Sequence, residues 1–294
     1  MQYALITAAR NEVALIEATL CAVISQTVKP VRWVICSDGS TDGTDDIVRR
    51  YGRQFPSITL MRMPEHRERN FAAKVSCLMA AYKSLRDVSF DVIANLDADV
   101  TFEPDYIEFL LERLAGDPKL GVVGTLFMEG GRQKYDYRFI NEAHVTGCCQ
   151  VFRRACFEDI NGYLPLQAGG EDWAAVTMAR MRGWKTQCYK EKLYTHHRTM
   201  GSATHHVLRI HLRQGSRDYM TGSHPLWQLS RSMFQMSRRP YILGGACLML
   251  GYLLTLLRGT TYSVPEDLRR FHRAEQMARL RRLLPWSKQH GTQQ

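Results

Sequence analysis

The stretch VIANLDADVT, Val92 to Thr101, decides how this chain is interpreted. An apolar run leads into two aspartates, Asp97 and Asp99, separated by a single alanine. In an extended strand both side chains would point to the same face, with their Cα atoms about 7 Å apart. Two carboxylates at so short a distance resist being ionised together unless a cation lies between them. Oxygen ligands of this kind suit Mg²⁺ or Mn²⁺. The stretch therefore predicts a divalent-cation site at a strand end, with a polar strand-to-loop junction as the alternative.

Strands and helices alternate along the chain on both sides of this stretch. Short apolar strands are predicted at residues 2–7, 31–36, 58–61 and 90–96, with amphipathic helices between them. Such alternation predicts an α/β fold with a mostly parallel sheet and helices on both faces. Ligands of these sheets bind beyond the carboxyl ends of the strands, where this chain places residues 7–10, 37–40 and 97–99.

The net charge of the chain lies in its C-terminal third. Residues 201–294 contain 14 Lys and Arg but 4 Asp and Glu, and therefore carry the whole formal charge of +10. No zinc finger, helix-turn-helix or RNA-binding motif accompanies this charge, so nucleic acid is not expected as a partner. An anionic membrane surface is the predicted partner, because the same region contains the most apolar run of the chain.

That apolar run covers residues 241–257, 17 positions without a charged side chain, which is the lower limit for a membrane-spanning helix. Arginines flank it on both sides, so a single crossing would place one basic flank outside the cell. A span, a re-entrant or in-plane segment and a buried helix all remain open. From Glu266 onward, apolar and arginine positions interleave as in an interfacial amphipathic helix.

Two parts are therefore predicted, a catalytic domain over residues 1–200 and a helical membrane-association region over residues 201–294. The eight cysteines show no paired C-x-x-C spacing, so neither a zinc site nor a disulfide framework is predicted, and the expected compartment is the reducing cytosol. No signal peptide is recognised before the first strand. The expected location is the cytoplasmic face of the cell membrane, peripheral or re-entrant.

Five short pieces of the sequence lie at predicted strand ends, loops or helix starts. They are TAARNE (7–12), SDGSTDGT (37–44), Lys74, LDADV (96–100) and GGEDW (169–173). In order and spacing they resemble the family-2 glycosyltransferases of the GT-A fold, over roughly residues 1–197. The resemblance implies an inverting, metal-dependent transferase of the polysaccharide or glycolipid type. Such an enzyme would move one sugar from a nucleotide-diphosphate sugar to a hydroxyl of a lipid-linked or glycan acceptor.

The resemblance also implies a role for each matching residue. The residues expected to bind the nucleotide are Ala8, Glu12, Asp38, Lys74 and Asp97. Asp99 would hold Mn²⁺ or Mg²⁺, which together with Lys74 would stabilise the leaving diphosphate. Asp172 would be the general base, and Glu171 is its neighbouring rival or an acceptor-binding residue.

The remaining candidates lie downstream. Either histidine of the pair at 196 and 197 could add a metal ligand, and His197 is the one predicted, while Arg198 is expected to contact phosphate. Gln214 and Arg217 resemble a degraded Q-x-x-R-W element of processive synthases, with Asp218 where tryptophan would stand. Transfer of a single sugar is therefore expected rather than processive synthesis.

A different class of enzyme also fits part of the central stretch. DADVT matches the D-x-D-x-T motif of haloacid-dehalogenase-type phosphatases, in which Asp97 would be the phosphorylated nucleophile. That class normally opens with the motif, whereas three predicted strands precede it here. A third possibility is a non-catalytic membrane adaptor built on the sugar-transferase fold.

Overall fold

In the part of the chain that the structure describes, the strands form a nine-stranded sheet. The computed structural model describes residues 1–65, 71–133, 142–166, 169–198 and 207–283, and the chain divides into two compact units, Met1–Thr199 and Met200–Gln294. The described strands are β1 (Tyr3–Ala9), β2 (Arg32–Ser37), β3 (Ile58–Arg62), β4 (Val92–Leu96), β5 (Val100–Phe102), β6 (Leu120–Glu129), β7 (Arg132–Gln133), β8 (Cys149–Arg153) and β9 (Lys185–His196). All of them belong to the first unit.

The sheet has the order β3-β2-β1-β4-β8-β6-β9-β5, and β7 pairs with β6. The first four strands in this order are parallel to one another, and β6 is parallel to β9. Strand β8 runs antiparallel between β4 and β6, and the short β5 pairs antiparallel with β9. The predicted α/β fold with its parallel sheet is confirmed, and the antiparallel strands extend it.

Helices connect these strands in the first unit. The described ones are α1 (Ile16–Ile24), α2 (Thr44–Gln54), α3 (Phe71–Lys83), α4 (Tyr106–Gly116), α5 (Arg154–Asp159) and α6 (Glu171–Met181). Strands β1 and β4 are buried almost throughout, as expected of central parallel strands that are covered on both sides. The indole of Trp33 is fully buried, and its Nε1 donates to Thr7 Oγ1 at 3.0 Å. This rigid core holds the carboxyl ends of β1, β2 and β4 next to each other.

The second unit is helical. Its described helices are α7 (Val207–Met220), α8 (Pro225–Met236), α9 (Leu243–Leu257) and α10 (Glu266–Leu283). Helix α9 packs against α7 and α8. Within the described residues, no helix combines the length and the apolar character that crossing a bilayer requires. The association of this unit with a membrane stays a prediction.

Candidate active site

The two aspartates of the central stretch lie in a turn and not in a continuing strand. Strand β4 ends at Leu96 and β5 begins at Val100, which corrects the expectation of an extended Asp97–Asp99 segment. Thr19 holds this turn, because its hydroxyl donates to Ala98 O at 2.9 Å and accepts from Val100 N at 3.1 Å. The turn still directs both acids into the region beyond the carboxyl end of β4.

Asp99 lies beside two basic side chains that come from the end of β9. His196 Nε2 is 3.4 Å and Arg198 Nε 3.9 Å from Asp99 Oδ2. The pairing of β5 with β9 sets this contact, because Val100 is in register with His196. Asp99 and His196 are each only 6% exposed. Burial alone would raise the pKa of Asp99, but the hydrogen bond and charge of His196, together with Arg198, lower it below its ordinary value.

Asp97 is paired with the predicted phosphate-binding lysine. Lys74 Nζ donates to Asp97 Oδ1 at 2.7 Å. Burial alone would lower the pKa of Lys74, but the charges of Asp97 and Glu171 raise it well above its ordinary value. Lys74 lies near the start of α3, where the helix dipole disfavours a cation unless an anion is close. Asp97 is that anion.

A cysteine that the sequence prediction missed completes this cluster. A carboxylate oxygen of Asp97, Sγ of Cys148 and a ring nitrogen of His196 all lie within 4.8 Å of one another. Cys148 is brought there by β8, and its carbonyl oxygen accepts from Asp97 N at 2.9 Å. Burial raises the pKa of the Cys148 thiol, and the carboxylates of Asp97, Asp99 and Asp172 raise it further. The thiol therefore lies in the field of all three acids.

The structure brings His196, and not the predicted His197, to Asp99. Successive side chains at a strand end point to opposite faces, so two neighbouring histidines cannot serve the same site. The ring of His197 instead forms a hydrogen bond of 2.7 Å with the hydroxyl of Thr101, on the exposed side. The physical reason for the correction is the register of β9 against β5, which places position 196 next to Asp99.

The predicted base, Asp172, lies in the first turn of α6. Two glycines in the left-handed region, Gly169 (φ 76°) and Gly170 (φ 96°), lead the chain into this helix. Gly147 N donates to Asp172 Oδ2 at 3.1 Å, and a Cβ at Gly147 would lie 2.9 Å from the same oxygen. Position 147 is therefore restricted to glycine if the carboxylate is to stay where it is.

Glu171 is the more buried of the two neighbouring acids, at 7% exposure. Its Oε2 is buried and has no hydrogen-bond partner in the part of the chain that is described. Burial raises the pKa of Glu171, Asp172 raises it further, and Lys74 opposes the rise. Glu171 therefore favours its protonated form more than an exposed glutamate does, and it stays the neighbouring rival of Asp172 as general base.

The predicted nucleoside-binding residues lie at the ends of β1 and β2. Ala8 is half-buried near the end of β1, and Asp38, directly after β2, is buried beside Arg10, with Arg10 Nη1 at 3.4 Å from Asp38 Oδ2. Glu12 is buried, its N donates to Thr44 Oγ1 at 2.8 Å, and its carboxylate is ion-paired with Arg198. Arg198 thus links the β1 end of the site to Asp99, while its contact with phosphate stays a prediction.

Two candidates, Gln214 and Arg217, lie on α7 in the second unit. Their neighbour Asp218 is buried and ion-paired with Arg231 of α8. The proposed role of Gln214 and Arg217 at the acceptor or phosphate stays a prediction.

Comparison with known proteins shows a family match within the first unit. Residues 4–138 match the family model described as glycosyl transferase family 2. Poly-β-1,6-N-acetyl-D-glucosamine synthases of Staphylococcus aureus strains COL and MRSA252 are 27% identical over 113 residues, which is 38% of this chain. The matched segment is only 25% of the length of those synthases.

Solved structures extend the likeness in fold to nearly the whole chain. The mannosyltransferase PcManGT of Pyrobaculum calidifontis, in complex with GDP-Man and Mn²⁺, has a TM-score of 0.56 at 19% identity and covers 98% of this chain and 88% of its own. Staphylococcus aureus TarS 1–349 with UDP-GlcNAc has a TM-score of 0.56 at 13% identity, covering 92% and 78%. The family match favours a sugar transferase over the phosphatase alternative. Residues 4–138 are therefore similar to the glycosyltransferases of family 2, and the fold is GT-A.

Proposed function

We propose that this protein transfers a single sugar from a nucleoside-diphosphate sugar to a hydroxyl group of a lipid-linked or glycan acceptor, with inversion at the anomeric carbon. The observation that carries the proposal is the meeting of Asp97, Asp99 and His196 beyond the end of β4. Lys74 places a positive charge at Asp97. Asp172, in the first turn of α6, acts electrostatically on the same Cys148 thiol as Asp97 and Asp99, which supports a base near the cation-binding acids.

The chemistry of this cluster fits a divalent cation such as Mn²⁺ or Mg²⁺. Asp99 and His196 would hold it, because carboxylate and imidazole are suitable donors, and Asp97 lies close enough to add an oxygen. The Nδ1 atom of His196 is buried without a hydrogen-bond partner among the described residues, as is usual where a ligand completes a site. When bound, the cation would supply charge stabilisation to the leaving diphosphate.

The protein's own cations support the same step. Lys74 is held in the site by Asp97, and Arg198 is held by Glu12 and lies next to Asp99. Both can form charge-assisted hydrogen bonds with phosphate oxygens as negative charge accumulates on them. The nucleoside would lie toward the ends of β1 and β2, beside Asp38.

Asp172 would act as the general base. The acceptor hydroxyl oxygen attacks the anomeric carbon from the face opposite the diphosphate, the bond from that carbon to the phosphate oxygen breaks, and the hydroxyl proton passes to the Asp172 carboxylate. The carboxylate lies in the first turn of α6, and the Gly147 N–H, which donates to its Oδ2, orients it. One displacement of this kind inverts the configuration of the sugar.

Transfer of a single sugar is supported by the second unit. The position that would carry the tryptophan of a processive synthase is Asp218, which is buried and ion-paired with Arg231. This residue offers no aromatic surface on which a growing glycan could stack.

The test combines binding and turnover. Thermal shift with UDP- and GDP-sugars, with and without Mn²⁺, identifies the donor, because a ligand that binds the folded state raises the melting temperature. Asp172→Asn should then abolish transfer but keep donor binding, whereas Asp46→Asn, an exposed acid at the start of α2, should leave both unchanged. Full transfer activity in Asp172→Asn would contradict the assignment of the base.

A further inference from the structure

Helix α9 exposes most of its leucines and buries mainly small or polar residues, unlike a helix at an ordinary water-facing surface. The residues that face its neighbours are mostly small or polar, namely Gly244, Gly245, Leu248, Gly251, Tyr252 and Thr255. The outward stripe consists of the leucines at 243, 250, 253, 256 and 257, and their exposure reaches 58% at Leu243 and 80% at Leu257. A helix on an ordinary protein surface shows the opposite arrangement, with leucines inward and polar residues outward.

Glycines allow the close packing of α9 against its neighbours. A Cβ at Gly251 would overlap the carbonyl oxygen of Leu212 on α7, and a Cβ at Gly245 would overlap the carbonyl oxygen of Ser232 on α8. No larger side chain fits at these contacts, so the close approach of α9 to α7 and α8 requires its glycine face. Interfaces of small residues with leucines facing outward are typical of helices whose surroundings are lipid.

Helix α8, which packs against α9, exposes a second apolar stripe. Leu226, Leu229 and Met233 recur at helical spacing, and all three are exposed. Tyr241 and Ile242, directly before α9, are exposed as well. Exposed apolar groups on this scale mark an interaction surface rather than an ordinary soluble face.

Charge and length indicate what covers this surface. Arg239 before α9 and Arg258 after it are both exposed, and no acidic residue lies between Asp218 and Glu266. With its 15 residues, α9 is about 22 Å long and too short for a hydrocarbon core of about 30 Å. A second copy of the chain would bring like charges together at both helix ends, whereas anionic headgroups complement them.

We propose that the surface formed by the outward stripes of α8 and α9 docks in the plane of an anionic lipid bilayer. The leucines of α9 would enter the acyl boundary, and the arginines at its two ends would contact the headgroups. This inference goes beyond the sugar-transfer proposal and does not depend on it.

Co-sedimentation with vesicles tests the proposal without reference to catalysis. The full chain is incubated with vesicles of phosphatidylcholine alone and with vesicles that also contain phosphatidylglycerol. We expect the partition coefficient onto the anionic vesicles to be at least about tenfold higher than onto the neutral ones. The double variant Leu250→Glu, Leu253→Glu should lose this binding, whereas Leu250→Ser, Leu253→Ser should weaken it by removing apolar surface alone.

A matched control separates the stripe from net charge. Lys83→Glu changes the charge of the chain as much as the double glutamate variant does, but at an exposed position on α3 in the first unit, and it should bind vesicles like the wild type. Circular dichroism and thermal unfolding establish that each variant is folded. Unchanged binding by the glutamate variant would overturn the proposal, as would a wild-type chain that stays in the supernatant. A concentration-dependent dimer in sedimentation velocity that the same variant abolishes would also overturn it and assign the stripe to a second copy.

Discussion

A single methyl group added at Gly147 should separate substrate binding from catalysis. In the structure, a Cβ at this position would lie 2.8 Å from Asp172 Cβ and 2.9 Å from Asp172 Oδ2. Ordinary contacts between such atoms are near 3.5 Å, so the Asp172 side chain must move by roughly half an ångström or more in Gly147→Ala. The displacement also disturbs the hydrogen bond from Gly147 N to Asp172 Oδ2.

The expected loss follows from the size of that displacement. A misplacement of about 1 Å at a reacting group costs about a hundredfold in rate, so half of it should lower kcat roughly tenfold, or about 1.4 kcal/mol in the activation barrier. Weakening a hydrogen bond to a charged carboxylate adds up to about 1.5 kcal/mol. We therefore expect kcat to fall between about 10-fold and 100-fold, while the affinity for the donor, whose nucleoside the proposal places at the ends of β1 and β2, stays the same.

The assay is steady-state transfer measured together with donor binding by calorimetry. Gly116→Ala is the matched control, because a Cβ there has nothing within 4 Å. It lies at the end of α4, so it should leave kcat unchanged. If Gly147→Ala kept the wild-type kcat while Asp172→Asn was inactive, the placement of Asp172 against Gly147 would be wrong. If donor affinity fell as much as kcat, the change would have damaged the whole site and not the base.

Three further predictions concern the other parts of the molecule. Lys74→Met should lower kcat/KM for the donor by about 10-fold to 1,000-fold, because it removes a positive charge from the diphosphate and the ion-pair partner of Asp97. Unchanged kinetics would contradict the role of Lys74 at the diphosphate. His196→Ala should raise the Mn²⁺ concentration for half-maximal binding by about 10-fold or more in a calorimetric titration, whereas His197→Ala should change it less than about twofold; equal effects would contradict the assignment. Gly251→Ala should lower the free energy of unfolding by about 1–3 kcal/mol in urea titration, because its methyl group meets the α7 backbone, and wild-type stability would show that α9 does not pack there.

Much of the parallel half of the sheet could be predicted from local sequence. The runs at 2–7, 31–36, 58–61 and 90–96 became β1 to β4. Strands β1, β2 and β4 are buried almost throughout and read as continuous apolar segments, whereas β3 is a partly exposed edge strand. The antiparallel strand β8 lies between β4 and β6. Its pairing with β4 joins residues more than fifty positions apart along the chain. Local patterns do not encode such a pairing, and for this reason Cys148 was missed.

The sequence by itself determined which chemical groups the protein has for its function: the acids at the strand ends, the lysine near a helix start, the acid pair after two glycines, and a basic, apolar C-terminal region. Only the tertiary structure decided which of them meet. It chose His196 over His197 through the register of β9, brought Cys148 to Asp97 through β8, and turned the leucines of α9 outward. The physical reason is that periodicity along a strand or helix divides side chains between two faces, whereas the partner of each face depends on contacts between residues far apart in the chain.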